Sequence, residues 1–125
     1  MVIGDPHYAD IFGVNALAEA PIAGVVDGVV IAGTVDRLLV TDTQVSVIDF
    51  KTARRVPQSA MAIPIAHIRQ MAAYVAVLRA VFPQHDVTAA LLYTSGPRLF
   101  TLDEAILEAQ KPSFQLEQQV LRQGA

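Results

Sequence analysis

The chain reads as an α+β domain built on one mixed sheet, and three observations lead there. Residues 19–51 are Val-, Ile- and Leu-rich runs cut by turn residues at Asp27-Gly28 and Thr41–Gln44. From Pro64 to Phe82, apolar residues recur every three to four positions. A further apolar run, VTAALLYT at 87–94, then leads into RLFTL and a closing amphipathic segment. The expected order is β-meander, helix, strand, strand, helix. A length of 125 residues suits a single domain over 1–125. With 53% hydrophobic residues, such a domain can bury a core without disulfide staples.

Each element has a local reason. Residues 1–18 form a lead-in around Asp5-Pro6, Ile11, Phe12 and Gly13. Asp27-Gly28 between EAPIAGVV and VVIAGTVDRLLV is a two-residue hairpin signal, and Thr41–Gln44 reads as a four-residue hairpin loop before VSVIDFK. Residues 53–63, with Arg54, Arg55 and Pro57, make an irregular link. Ile65, Ile68, Met71 or Ala72, Val75, Leu78 and Phe82 fall on one helix face, with Pro64 suited to the first turn and Pro83 to the stop. Gly96-Pro97 is a turn, and Asp103 is placed to cap a last helix over roughly 104–122.

Composition excludes several classes. With no cysteine, the chain has no disulfide framework, thiolate zinc site, Cys-ligated cluster or cysteine nucleophile. The same absence fits a reducing cytoplasm, the expected location. The first twelve residues lack a basic segment and meet Asp5 too early for a signal peptide. No apolar run approaches the roughly 20 residues a bilayer requires, so no membrane partner is expected. The net charge of −3 supplies no broad basic stripe for nucleic acid. Seven of the nine basic residues are Arg, and the two lysines are Lys51 and Lys111.

The hairpins make a prediction about charge. A two-residue loop at Asp27-Gly28 puts Val26 opposite Val29 and Glu19 opposite Asp36. A four-residue loop at Thr41–Gln44 puts Val40 opposite Val45 and Asp36 opposite Asp49. Three carboxylates then form one row on one sheet face, with Lys51 one step along. Opposed like charges destabilise a sheet, by on the order of 1 kcal/mol at about 5 Å in water and about 3 at an effective dielectric near 20. Such a row needs a compensating cation, and oxygen-only ligands favour Mg²⁺ or Mn²⁺ over zinc. A slipped residue at Gly24 or Gly33 would turn a side chain to the other face.

GTVDRLLV, then VSVIDFKTAR, then HIRQMAAYVAVL resemble, in order and spacing, the PD-(D/E)xK nuclease domain of the RecB family. The likeness runs from about Phe12 through the last helix and is strongest to the C-terminal nuclease domain of helicase-nucleases of the AddA type. It implies a restriction-endonuclease-like core. By position, Asp36 resembles the first metal-binding aspartate, Asp49 and Lys51 the acid-x-Lys pair, Gln70 and Tyr74 the QxxxY motif, and Glu19 the glutamate before the first aspartate. The family's upstream histidine has no match, since His7 lies only twelve residues before Glu19 in a DPHY turn. No GxxxxGK[ST] loop is present, so the chain is expected to be the nuclease piece of a larger helicase-nuclease, or else a stand-alone domain lacking the family's upstream helix.

The resemblance implies a Mg²⁺- or Mn²⁺-dependent deoxyribonuclease, an exonuclease in double-strand break repair and recombination. Its partners would be DNA, the helicase portion of the same polypeptide and a second subunit. Asp36, Asp49, Glu19 and the Phe50 carbonyl would hold the metal. Lys51 would orient or deprotonate water, or stabilise charge on the phosphorane. Gln70 and Tyr74 share a helix face and could position Lys51 or a phosphate. Arg54 and Arg55 follow the catalytic strand and suit DNA backbone contact. Arg37 should face away as a structural residue, and His67 and His85 read as surface residues. The competing expectation is a non-catalytic domain of this fold used for DNA binding or assembly. With one ligand unmatched, the chain alone should fold but cleave weakly and need high metal.

Overall fold

The computed structural model describes residues 16–111. Five strands form one sheet in the spatial order β1-β2-β3-β4-β5: β1 Ala16–Val26, β2 Val29–Val40, β3 Gln44–Lys51, β4 Asp86–Tyr93 and β5 Arg98–Leu102. Helix α1, Ile65–Val81, joins β3 to β4, and the short α2, Glu104–Ala109, follows β5. The β3–β4 pair is parallel and the other three pairs are antiparallel, so the sheet is mixed. This is the architecture the sequence predicts. The last helix, expected to run to about 122, ends at Ala109 with Gln110 as its C-cap; residues beyond 111, and His7, lie outside the described residues.

Both hairpin turns form where expected. Asp27 and Gly28 have φ of 48° and 77°, the pair of positive values a two-residue hairpin of this hand requires. Val26 pairs with Val29, and Val40 with Val45. The Thr41 hydroxyl accepts from Gln44 N–H at 3.0 Å and Thr43 N–H at 3.4 Å, tying the second loop. Asp103 caps α2 by accepting from Ile106 N–H at 3.0 Å.

The main core lies between one sheet face and α1. Val45 and Val47 of β3 and Ala89, Leu91 and Tyr93 of β4 point there, with Met71, Tyr74, Val75 and Leu78 of α1. Ile48, Ala90 and Leu92 form a smaller cluster with Phe50 and Leu99. Strict alternation along β3 therefore puts Asp49 and Lys51 on the α1 face.

Alternation in β2 is not strict. Ile31 and Val35 join the α1-side core, but so does Leu38, whose partner on β3 is Val47. The phase changes between Val35 and Leu38, around Asp36. On β1 the position facing Asp36 is Glu19, which has φ of 52°, in the left-handed region. Both strands thus break their extended pattern at the same place.

Helix α1 crosses the sheet obliquely. Moving along it, His67 meets Tyr93 on β4, Gln70 meets Lys51 on β3, Tyr74 lies against Gly33 on β2, and Val77 against Gly24 on β1. A Cβ at Gly33 would fall on the Tyr74 hydroxyl and stand 3.0 Å from ring carbons Cε1 and Cζ, so close approach of helix and strand requires glycine there.

Candidate active site

The phase change brings two carboxylates together by a different route from the expected ladder. Paired positions of β2 and β3 end at Arg37 opposite Ile48. One residue further, the Asp36 carboxylate accepts the Phe50 N–H through Oδ2 at 2.7 Å. A side chain thus takes the place of a backbone partner and pins Asp36 over β3. Because Phe50 follows Asp49, this bond brings the Asp36 carboxyl near Asp49, close enough to act on its titration. Phe50 enters the site through this N–H.

Lys51 is the cation of the group. Its Nζ stands 2.9 Å from Asp49 Oδ2 and donates to Gln70 Oε1 at 2.6 Å. Gln70 Nε2 then donates to the Tyr74 hydroxyl at 3.4 Å. The amide uses both ends: its oxygen accepts from the ammonium and its nitrogen donates to the phenol. Asp36, Asp49, Lys51, Gln70 and Tyr74, drawn from two strands and a helix, thus form one connected polar chain inside an apolar frame.

Electrostatics follow from burial. Asp49 is 6% exposed, the one buried charged residue among those described. Burial holds its pKa above the usual aspartate value of 3.8, and the neighbouring Asp36 carboxyl pushes the same way, while Lys51 pulls it down. Two carboxylates against one ammonium leave negative charge to be balanced, and every acidic donor is oxygen. That donor set fits a hard divalent cation such as Mg²⁺ or Mn²⁺.

Linkage gives a sign to this strain. A carboxyl with a raised folded-state pKa binds more protons folded than unfolded. In metal-free protein, Asp49 therefore contributes most below 3.8, and that contribution is lost as pH rises through its raised pKa. Thermal melts in EDTA should show Asp49→Asn gaining on the wild type across this window. Added Mg²⁺ should restore the wild type above the window and leave Asp49→Asn unmoved. Parallel pH profiles for the two proteins in EDTA would refute this.

Glu19 departs from the expected row. It is exposed, and among the described residues no group of three acidic or histidine side chains gathers at metal-binding distance. The left-handed backbone at Glu19 explains the difference, because a residue at φ of 52° does not continue the alternation the row assumed. Arg37 does turn away: its guanidinium lies 5.2 Å from the Phe50 ring centroid, and its Nη1 donates to the Asp36 carbonyl at 2.7 Å. Arg54 and Arg55 are exposed on the link after β3.

Both histidines expected at the surface are half-buried. His85 Nε2 bonds the Thr41 carbonyl at 3.0 Å, and its ring meets Phe82 edge-on. His67 Nδ1 pairs with the Tyr93 hydroxyl at 2.8 Å. Burial, and then the Lys51 charge, lower the His67 pKa from its usual value, while burial raises that of Tyr93. Two features of the fold tie this pair to the cluster. His67 is three residues before Gln70, on the same helix face. Tyr93 also ends a strand as Lys51 does, and the two are register partners.

This mixed sheet, with its two-carboxylate, one-lysine cluster under a polar helix face, is that of a restriction-endonuclease-like α+β domain. The family model of the PD-(D/E)XK nuclease superfamily matches residues 6–124, and the chain belongs to that superfamily. Among solved structures, it is similar to a presumed exonuclease from Eubacterium rectale, with TM-score 0.64 and 12% identity over 87% of this chain and 44% of that one. It is also similar to the protein SSO0001, with TM-score 0.50 and 20% identity over 99% of this chain and 54% of that one. The chain thus spans about half the length of these structures. A comparison with curated proteins returns no match. No helix among the described residues is long and apolar enough to cross a membrane.

Proposed function

We propose that this domain hydrolyses DNA phosphodiester bonds with Mg²⁺ or Mn²⁺, as the exonuclease part of a larger cytoplasmic helicase-nuclease of double-strand break repair. The observation that carries the reading is the convergence of Asp36 and Asp49 with Lys51, itself held by Gln70. Asp36 and Asp49 would hold the cation, with the Phe50 carbonyl beside them, while the exposed Glu19 stands outside this pair. The cation, when bound, neutralises the phosphate and supplies a nucleophilic hydroxide.

The other residues have separable tasks. Lys51 is aimed by two contacts, one to a carboxylate and one to an amide, so its three protons are not all committed. One stays available to a water or a phosphoryl oxygen. Gln70 fixes where the ammonium stands, and Tyr74 fixes Gln70. Arg54 and Arg55 offer exposed cations to the DNA backbone just past the lysine. The helicase portion and a partner subunit would supply the DNA affinity that a net charge of −3 does not.

The test is degradation of end-labelled linear DNA by the 125-residue chain in Mg²⁺, Mn²⁺ or EDTA. Cleavage should be weak, should rise with metal into the millimolar range, and should stop with EDTA. Salt-sensitive DNA binding with no cleavage in either metal would instead establish a non-catalytic DNA-binding domain.

A further inference from the structure

A second feature lies beside the polar chain. The link between β3 and α1 folds over a cavity of about 670 Å³ lined by Arg55, Val56, Pro57, Gln58, Pro64 and Tyr93, with Ala53 and Ala62 completing the wall. Its placement ties it to the cluster at three points. Ala53 is two residues past Lys51. Pro64 is the residue before the helix that carries Gln70. Tyr93, fully buried at the cavity floor, is the register partner of Lys51, and its hydroxyl holds His67 one turn before Gln70.

The lining has mixed chemistry. Val56, Pro57 and Pro64 give apolar walls without hydrogen-bonding side chains. Gln58 offers both a donor and an acceptor, and the exposed Arg55 places a cation at the rim. The volume is within the range of small-molecule sites. A flat, largely apolar ring with polar edges, joined to an anionic group, matches this lining. A nucleoside joined to its phosphate has that make-up, whereas a free metal or a simple anion would leave the apolar walls unused.

We infer that the cavity beside Lys51 and Tyr93 receives the nucleoside next to the scissile phosphate, with Arg55 on the flanking phosphate. This assignment rests on the nuclease reading and deepens it, because it places a base contact at a fixed distance from the cleaved bond.

The experiment uses the full chain and a set of short single-stranded oligonucleotides, each with one abasic nucleotide at a different position. Cleavage is followed with Mn²⁺, and binding is followed in EDTA with 2-aminopurine at the same positions. One abasic position should lower kcat/KM about tenfold, the scale of a single base contact, while its neighbours have little effect. Ala62→Phe, at an exposed wall position, should lower cleavage of the intact oligonucleotide by a similar factor. It should also remove the penalty of the abasic nucleotide. Ala62→Leu, a smaller filling, should fall between, and thermal melts confirm that both variants fold. Cleavage with a flat abasic series, or Ala62→Phe that keeps the base dependence, overturns the cavity assignment and leaves the nuclease reading intact. Base-dependent binding without cleavage in either metal overturns the nuclease reading and leaves a base-binding cavity. Neither binding nor cleavage overturns both.

Discussion

Lys51→Met and Asp49→Asn should each lower metal-dependent DNA cleavage by about a thousandfold or more while leaving the domain folded. The size follows from what each removes. A hydrolytic metal site contributes several kcal/mol of transition-state charge stabilisation, and each 1.36 kcal/mol is a factor of ten in rate. Asp49→Asn keeps the shape and the reach to Asp36 but withdraws one of the two charges that would hold the cation. Lys51→Met keeps most of the alkyl packing of a side chain that is 17% exposed, and removes the ammonium that meets Asp49 and Gln70. The fold should tolerate both, because α1 and the strands are held by the apolar cluster around Met71, Val75 and Leu91. Cleavage assays beside thermal melts decide it. A folded variant cutting within tenfold of the wild type would remove that residue from the chemistry.

Gly33→Ala should cost stability and activity together, although Gly33 touches neither carboxylate. The new methyl meets the Tyr74 hydroxyl, and the ring behind it is buried in the core with little room to yield. Overpacking of this kind costs about 1–3 kcal/mol, which for a domain of this size lowers the melting temperature by several degrees. Moving Tyr74 also takes away the partner of Gln70 Nε2, so Lys51 loses its fixed aim, and cleavage should fall about tenfold. Adding Tyr74→Phe to Gly33→Ala should return part of the stability, since the clashing oxygen is gone, but not the cleavage. A double-mutant cycle measures this coupling. Wild-type melting and cleavage in Gly33→Ala would show that Tyr74 swings aside freely and does not position Gln70.

Most of the fold was legible because its signals are local. The Asp27-Gly28 turn, the Thr41–Gln44 loop, the helical period after Pro64 and the Asp103 cap each rest on a few adjacent residues, and each stands where those residues predict. The turn of Glu19 out of the acidic row was not legible, although its position opposite Asp36 was. The row assumed that alternation runs unbroken to the strand ends, and a positive φ at a glutamate has no sequence marker comparable to glycine. Asp36 and Asp49 do meet, but through a side chain that captures the Phe50 N–H instead of through a backbone ladder, and periodicity carries no trace of that substitution. His67 and Tyr93 were hidden for another reason. Neither has a partner nearby in sequence, and their contact exists only once α1 is laid across β4.

The oblique path of α1 sets a limit on how this domain can change length. One helical turn advances about 5.4 Å and neighbouring strands are about 4.8 Å apart, so each turn of α1 addresses the next strand. His67, Gln70, Tyr74 and Val77 are thereby keyed to β4, β3, β2 and β1. A single residue inserted between Gln70 and Tyr74 would rotate everything after it by about 100° and point Tyr74 away from β2. The tips at Asp27-Gly28 and Thr41–Gln44 are not keyed to the helix in this way. Grafted loops, epitope insertions and reporter fusions therefore belong at those tips, and indels within 67–77 should be lost from any library selected for a folded, active domain.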